Sequence, residues 1–204
     1  MSVFEGLFGP SREEIWKQLC TEIGADFVAG GFWKGVKVEG HHGEWTITLD
    51  TFTVPVGHTH IAYTRLRAPF VCYDGFRFAI YRAGLFSNLG KMLGMQDIDV
   101  GHSHQFDEEF IVKGNEEGKV RALLANPEIR RLIEEQPQIH LELKDDEGTF
   151  STKFPEGVDE LYFQTVGVIK DVERLKKLYD LFAAVLDELC RLGSASARNP
   201  GVAL

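Results

Sequence analysis

The sequence predicts an α+β fold: a largely antiparallel sheet covered by amphipathic helices from the N-terminal and C-terminal ends of the chain. Three observations carry the prediction. Residues 45–54, 60–67 and 76–82 alternate apolar and polar side chains, the period of a half-buried strand. Val172, Leu175, Leu178, Tyr179, Phe182, Val185, Leu186, Leu189 and Cys190 recur at helical spacing as one wide stripe. Ser11 and Glu14 form a capping box ahead of Ile15, Trp16, Leu19, Cys20 and Ile23. With 204 residues and 23.0 kDa, mass scaling lets about 70% of the unfolded surface be buried, enough for one core. The expectation is a single domain over 1–193 and a disordered tail over 194–204.

Taken in order, the first helix stops at Gly24, and glycine-punctuated segments lead to the strand at 45–54. Trp45, Ile47 and Leu49 share one face of it, and Thr46, Thr48 and Asp50 the other. The segment between the next two strands supplies Pro69, Asp74 and Gly75 as turn chemistry, so the first half reads as a meander. Residues 85–94 read as a short helix and 108–113 as a strand. Asn115 is placed to cap a helix carrying Val120, Leu123 and Leu124, and Asn126 before Pro127 to cap the next. Residues 138–144 and 149–154 read as a hairpin, 159–169 as a strand, and the wide stripe as a final helix from Val172 to Leu192. Its width leaves room for a second helix or another subunit.

Subtracting 31 acids from 22 bases gives a net charge of −9, and the pI is about 5.3. Such a surface repels phosphate backbones and anionic lipid, which argues against nucleic-acid and membrane partners. Cys20, Cys72 and Cys190 are odd in number and far apart, the pattern of reduced thiols in a cytoplasmic protein. No basic leader opens the sequence, and no run approaches the roughly 18 apolar residues of a membrane span.

The sharpest motif is V-G-H-x-H, present twice, at 56–60 and 100–104. It places His58 with His60 and His102 with His104, each pair on one side of an extended segment. If the pairs converge, zinc or another divalent transition metal is the ion they fit, with Asp97, Asp99 and Asp107 as auxiliary ligands or base. If they do not, no cofactor is expected. The spacing H-x-H-x-x-D departs from the binuclear metallo-hydrolase pattern, and the chain is too short for the amidohydrolase barrel that the His58–His60 pair resembles. Gly84 to Lys91 has five residues between its glycines instead of the four of a phosphate-binding loop. Arg65 and Arg67 share a strand face and can grip a carboxylate or phosphate.

YTRLRAPF (63–70), GLFSNLGKMLGMQDI (84–98) and FDEEFIVKGNEEGKVRALL (106–124), with the later DELYFQ strand, resemble segments of an uncharacterised bacterial family of soluble α+β domains of unknown function. The resemblance falls mainly in the second half and implies fold class alone, since such a family carries no established catalytic residues. The functional expectation is a non-enzymatic cytoplasmic binding or interaction module for a small molecule or protein, with a homo-oligomer through the C-terminal helix as one arrangement. The alternative is a metal-dependent hydrolase using the paired histidines.

Overall fold

In the computed structural model, residues 9–30, 35–83, 95–101, 104–145 and 154–204 are described. Helix α1 (Arg12–Ile23) starts at Ser11, whose hydroxyl accepts from Glu14 N while the Glu14 carboxylate accepts from Ser11 N, the reciprocal box expected. Gly24, at φ 67°, ends it in the left-handed conformation that lacks a Cβ penalty. The strands that follow are β1 (Asp26–Val28), β2 (Lys37–His42), β3 (Trp45–Val56), β4 (Thr59–Cys72), β5 (Phe78–Arg82) and β6 (Gln96–Asp97). Helix α2 (His104–Glu109) leads into β7 (Phe110–Gly114), and α3 (Glu117–Ala125) and α4 (Pro127–Glu134) precede β8 (His140–Lys144) and β9 (Val158–Val166). Helix α5 (Val172–Arg191) and the two-residue β10 (Ala195–Ser196) complete the order.

All named strands join one antiparallel sheet in the order β1-β2-β3-β4-β9-β8-β5-β7-β6, with β10 added beside the end of β4. The expected meander therefore holds only from β1 to β4. β9 takes the far side of β4, and β5 lies between β8 and β7. β4 also runs straight through Pro69, where the sequence suggested a turn. Gly167 N donates to Ala62 O, so even-numbered residues of β4 turn their backbone toward β9 and odd-numbered ones toward β3. The β3 ladder ends at Thr48–Arg67, two residues before Pro69, so the missing N–H interrupts no bond.

One face of the sheet carries the core. Leu49, Leu66, Ala68, Phe70, Phe78, Ile80, Leu141, Leu161 and Phe163 are all fully buried there. Helix α5 presents Leu175, Leu178, Phe182, Val185, Leu186 and Leu189 to it, and α1, α3 and α4 pack beside α5. These three helices take up the width of the α5 stripe that the sequence left open to another subunit. Trp16, fully buried on α1, donates its indole N–H to Ile169 O and ties α1 to the segment entering α5. Burying a side chain of that size contributes about 3 kcal/mol or more by area.

Several local expectations are corrected. Residues 104–109 are helical and the strand starts at Phe110, because Asp107 accepts from Val100 N and Gly101 N and closes the preceding loop as a turn. Asn115 does not cap α3. It accepts from Arg77 N and donates to Gly75 O, holding the β4–β5 turn, and Glu116 occupies the cap position without a side-chain bond. Asn126 does cap α4, accepting from Glu128 N ahead of Pro127. The tail expected to be disordered is placed instead: Ala195 and Ser196 pair with Cys72 and Val71, and Lys37 Nζ donates to Leu204 O at 2.6 Å. The segments 85–94 and 149–153 fall outside the described residues.

Candidate functional site

Among the described residues no helix lies on the second face of the sheet, and its side chains divide into a polar centre and an apolar end. The centre is built by strand alternation. Asp50 on β3 faces Arg65 on β4, Thr48 faces Arg67, and Arg67 faces Tyr162 on β9, which faces Glu142 on β8. Asp50 accepts from Arg65 Nε and Nη2 at 2.6 and 2.8 Å and from Arg67 Nη2 at 2.7 Å, so one carboxylate spans two guanidiniums. Arg67 also lies 4.0 Å from Glu160. The Tyr162 hydroxyl donates to Gln164 at 2.8 Å, and the Gln164 amide meets His140 Nδ1 at 3.2 Å. His140 Nε2 is 3.4 Å from Glu142, whose other oxygen accepts from Lys144 at 3.0 Å.

These groups are buried although no described helix covers them: His140, Glu142, Glu160 and Tyr162 are each less than a tenth exposed. Burial pushes the Glu142 carboxyl upward, but the hydrogen bond and charge of His140 together with Lys144 outweigh it and hold the group below the usual glutamate range. Burial, with the charges of Glu160 and Glu142 beside it, drives the Tyr162 phenol up against the opposing pull of Arg65 and Arg67. Asp50, Glu142 and Glu160 match Arg65, Arg67 and Lys144 in formal charge, so the cluster carries no unbalanced charge with which to attract an ion. Its chemistry is cohesion: the arginine grip expected for a ligand carboxylate or phosphate is closed on Asp50.

The apolar end is an arm. Pairing of β3 with β2 stops at Leu49, and the β4–β9 pairing ends with Gly167 bonded at Ala62 and Thr64, so the β3–β4 hairpin from about residue 53 to 61 projects beyond both neighbours. Phe52 faces Tyr63 and Val54 faces Ile61, with the Phe52 and Tyr63 rings stacked at 5.1 Å and the Arg65 guanidinium 5.0 Å from the Phe52 ring. Val166 follows on the neighbouring strand with the same parity. Of the four exposed large hydrophobics among the described residues, Val54 (37%), Val56 (51%) and Val166 (49%) stand here. The β3–β4 register is continuous from Thr48–Arg67 to Val56–Thr59, without a bulge. Along β3, however, the apolar positions change from odd (45, 47, 49) to even (52, 54, 56), so the arm's apolar side lies on the face opposite the core.

A third feature of this face is a cavity of about 300 Å³ between the tail and the sheet, lined by Glu39, Glu44, Thr46, Thr48, Pro69 and residues 199–204. Two of its lining residues, Glu39 and Leu204, are joined through Lys37, which pairs with the Glu39 carboxylate and donates to Leu204 O.

The residues singled out by motif are dispersed. His58 lies in the arm's turn and His60 opposite Pro55, both exposed. His104 begins α2 and pairs with Glu108 at 3.2 Å, and His102 falls outside the described residues. Asp97 pairs with Lys113 at 3.1 Å, Asp99 lies exposed in the loop before Val100, and Asp107 is spent on backbone N–H groups. Among the described residues no three His, Cys, Asp or Glu side chains converge as a metal would need. The three thiols are unpaired with one another, and burial pushes each of them up, away from the reactive thiolate form. No helix among the described residues is long and apolar enough to cross a membrane.

No family model and no curated protein matches the chain. Among solved structures it is similar to the mycobacterial trehalose monomycolate transport factor A. The identity is 10%, over 87% of this chain and 94% of that one, with a TM-score of 0.46.

Proposed function

We propose that this chain is a non-enzymatic interaction module whose contact surface is the apolar face of the β3–β4 arm. The observation that carries the reading is the change of apolar parity at Asp50. It turns Phe52, Val54, Val56, Ile61 and Tyr63 away from the chain's own core and groups them with Val166. Contiguous exposed apolar side chains around aromatic anchors are the usual anatomy of a protein contact. The polar cluster behind the arm supports the same reading, since its carboxylates and guanidiniums are engaged with one another and stiffen the base from which the arm projects.

Site-directed photo-crosslinking in the cells that make the protein tests this. A photoreactive residue at Val54 or Val56 is expected to give a discrete adduct, whereas the same residue at Tyr73, which is 57% exposed elsewhere on the molecule, gives none. Equal labelling at all three positions, or no adduct from the arm, refutes the reading.

A further inference from the structure

We propose that the cavity between the tail and the sheet is a binding site for a small primary amine, held as its ammonium ion. The site is separate from the arm. Strand parity makes its floor: Trp45, Ile47 and Leu49 of β3 turn to the core, so Thr46 and Thr48 turn to the face on which the tail lies, with Glu39 of β2 beside Thr48. The tail makes its roof. It is held on one side by the pairing of Ala195 and Ser196 with β4, and on the other by Lys37 donating to Leu204 O.

This floor has acceptors to spare. Thr48 is 1% exposed and lines the cavity, yet its hydroxyl has no hydrogen-bond partner among the described residues, a state that buried polar groups rarely keep. The backbone adds a second acceptor. Even-numbered residues of β3 turn their backbone groups toward β4, and the residue that would follow in register opposite Thr46 is Pro69, which has no N–H. The ladder stops at Thr48–Arg67, and the Thr46 carbonyl is left on the cavity floor without a ladder donor. Glu44, exposed in the β2–β3 turn, also lines the cavity and makes no ion pair among the described residues. The described lining contains no Lys, Arg or His.

Unmet acceptors beside one unpaired carboxylate select a ligand with N–H donors and a single positive charge. An ammonium carries three donors and no acceptor. The same walls already hold one: Lys37 Nζ lies 2.5 Å from Glu39 and donates to Leu204 O at 2.6 Å, and both partners line the cavity. A metal ion suits the donor set less well, since calcium takes about 6–8 oxygens and no three His, Cys, Asp or Glu side chains converge among the described residues. The volume of about 300 Å³ equals roughly ten water-sized volumes, room for a body of up to about ten non-hydrogen atoms. Pro69, Pro200 and Val202 give that body an apolar wall. An alkylammonium can come from a free amine or from a lysine of another protein. A lysine would have to bring its own backbone past a tail fixed on both sides, which favours the free amine.

Titration of the full chain with n-hexylammonium chloride, followed by amide NMR shifts, tests the proposal. Saturable shifts are expected at residues 44–48 and 202–204. Hexanoate and 1-hexanol, which keep the alkyl body and lose the positive charge, are expected to bind at least tenfold more weakly, as is Nα-acetyl-lysine methylamide. Glu44→Gln and Thr48→Val should each weaken hexylammonium at least fivefold, whereas Glu108→Gln, an exposed acid removed from α2, should leave its affinity unchanged. Glu44 is exposed and the Thr48 hydroxyl is without a partner, so neither variant should lower the urea midpoint. If Thr48→Val does unfold, Glu44→Gln decides alone. Absent or unsaturable shifts, equal binding of hexanol or of the lysine derivative, affinity indifferent to Glu44→Gln, or the same shifts produced by calcium chloride overturn the proposal.

Discussion

Removing the Asp50 carboxylate is the perturbation that most directly tests how the open face is held. It accepts three charge-assisted hydrogen bonds from Arg65 and Arg67, and the three side chains are 16%, 25% and 13% exposed. Truncating one partner of a fully buried ion pair costs about 3–5 kcal/mol, because the remaining charge is left without compensation. Partial exposure lets water rehydrate some of each guanidinium, which lowers the expectation for Asp50→Ala to about 2–4 kcal/mol. Urea unfolding at pH 7 should show the midpoint falling by about 1 M or more with an unchanged slope. The cost should persist at high salt, since a partly buried pair is poorly screened. Arg65 also contacts the Phe52 ring, so amide exchange should accelerate along residues 52–63 more than in β8. Combining Asp50→Ala with Arg65→Met should recover part of the loss, because Arg67 still faces Glu160 and the charges balance again. A midpoint change worth less than about 0.5 kcal/mol in Asp50→Ala would show that the cluster is surface decoration.

Three further outcomes follow from the packing and the charges. Leu178→Ala and Phe182→Ala on α5, both fully buried, should each cost about 2–5 kcal/mol in denaturant unfolding, and unchanged midpoints would contradict the core assignment. Gly40→Ala places a methyl 2.5 Å from Tyr179 Cε1, so the ring must shift and its hydroxyl bond to Val38 O is lost; about 1–3 kcal/mol is expected, and Tyr179→Phe should soften the penalty by removing the bond the ring must keep. Glu142, held below the usual glutamate range, contributes stability above about pH 4.3 that is lost as pH falls through its lower folded value. Glu142→Gln should accordingly flatten the acid limb of the stability profile, measured by thermal melts between pH 3 and 7.

Helices α1, α4 and α5 and the caps of α1 and α4 were legible because their determinants are local. Ser11 with Glu14, Asn126 with Pro127, and the stripe from Val172 each sit within a few residues of what they specify. Strand order was not legible, because β9 joins β4 across a separation of about a hundred residues and alternation says nothing of which strand lies alongside. Asn115 shows the same limit at small scale: its residue type suits a cap, yet the backbone groups that claim it, Arg77 N and Gly75 O, come from another turn. The tail misled for a related reason. A run such as SASARN has no apolar period, but two residues of β ladder and one lysine contact hold it without one.

The arm was written in the sequence more plainly than in any motif, though not where motif reading looks. V-G-H-x-H draws attention to His58 and His60, which occupy an exposed turn and its neighbouring strand, whereas the informative signal is the phase of ordinary side chains on either side. Trp45, Ile47 and Leu49 keep odd parity while β2 lies alongside, and Phe52, Val54 and Val56 take even parity once β2 has ended. Across the hairpin Ile61 and Tyr63 are odd, and Leu66, Ala68 and Phe70 even, so both strands change together and opposite residues still match. A bulge would produce the same shift by inserting a residue, but the register excludes one. A strand under selection only to cover its own core gains nothing by turning valine and phenylalanine to the other side, where burial returns no free energy to the monomer. Among the described residues nothing covers these side chains, and a contact made outside the core is what the proposed reading supplies to make the parity change favourable. Replacing Val54 and Val56 by threonine should leave the monomer's urea midpoint within about 0.5 kcal/mol of the parent; a loss of more than about 1 kcal/mol would mean that the arm packs on its own chain after all.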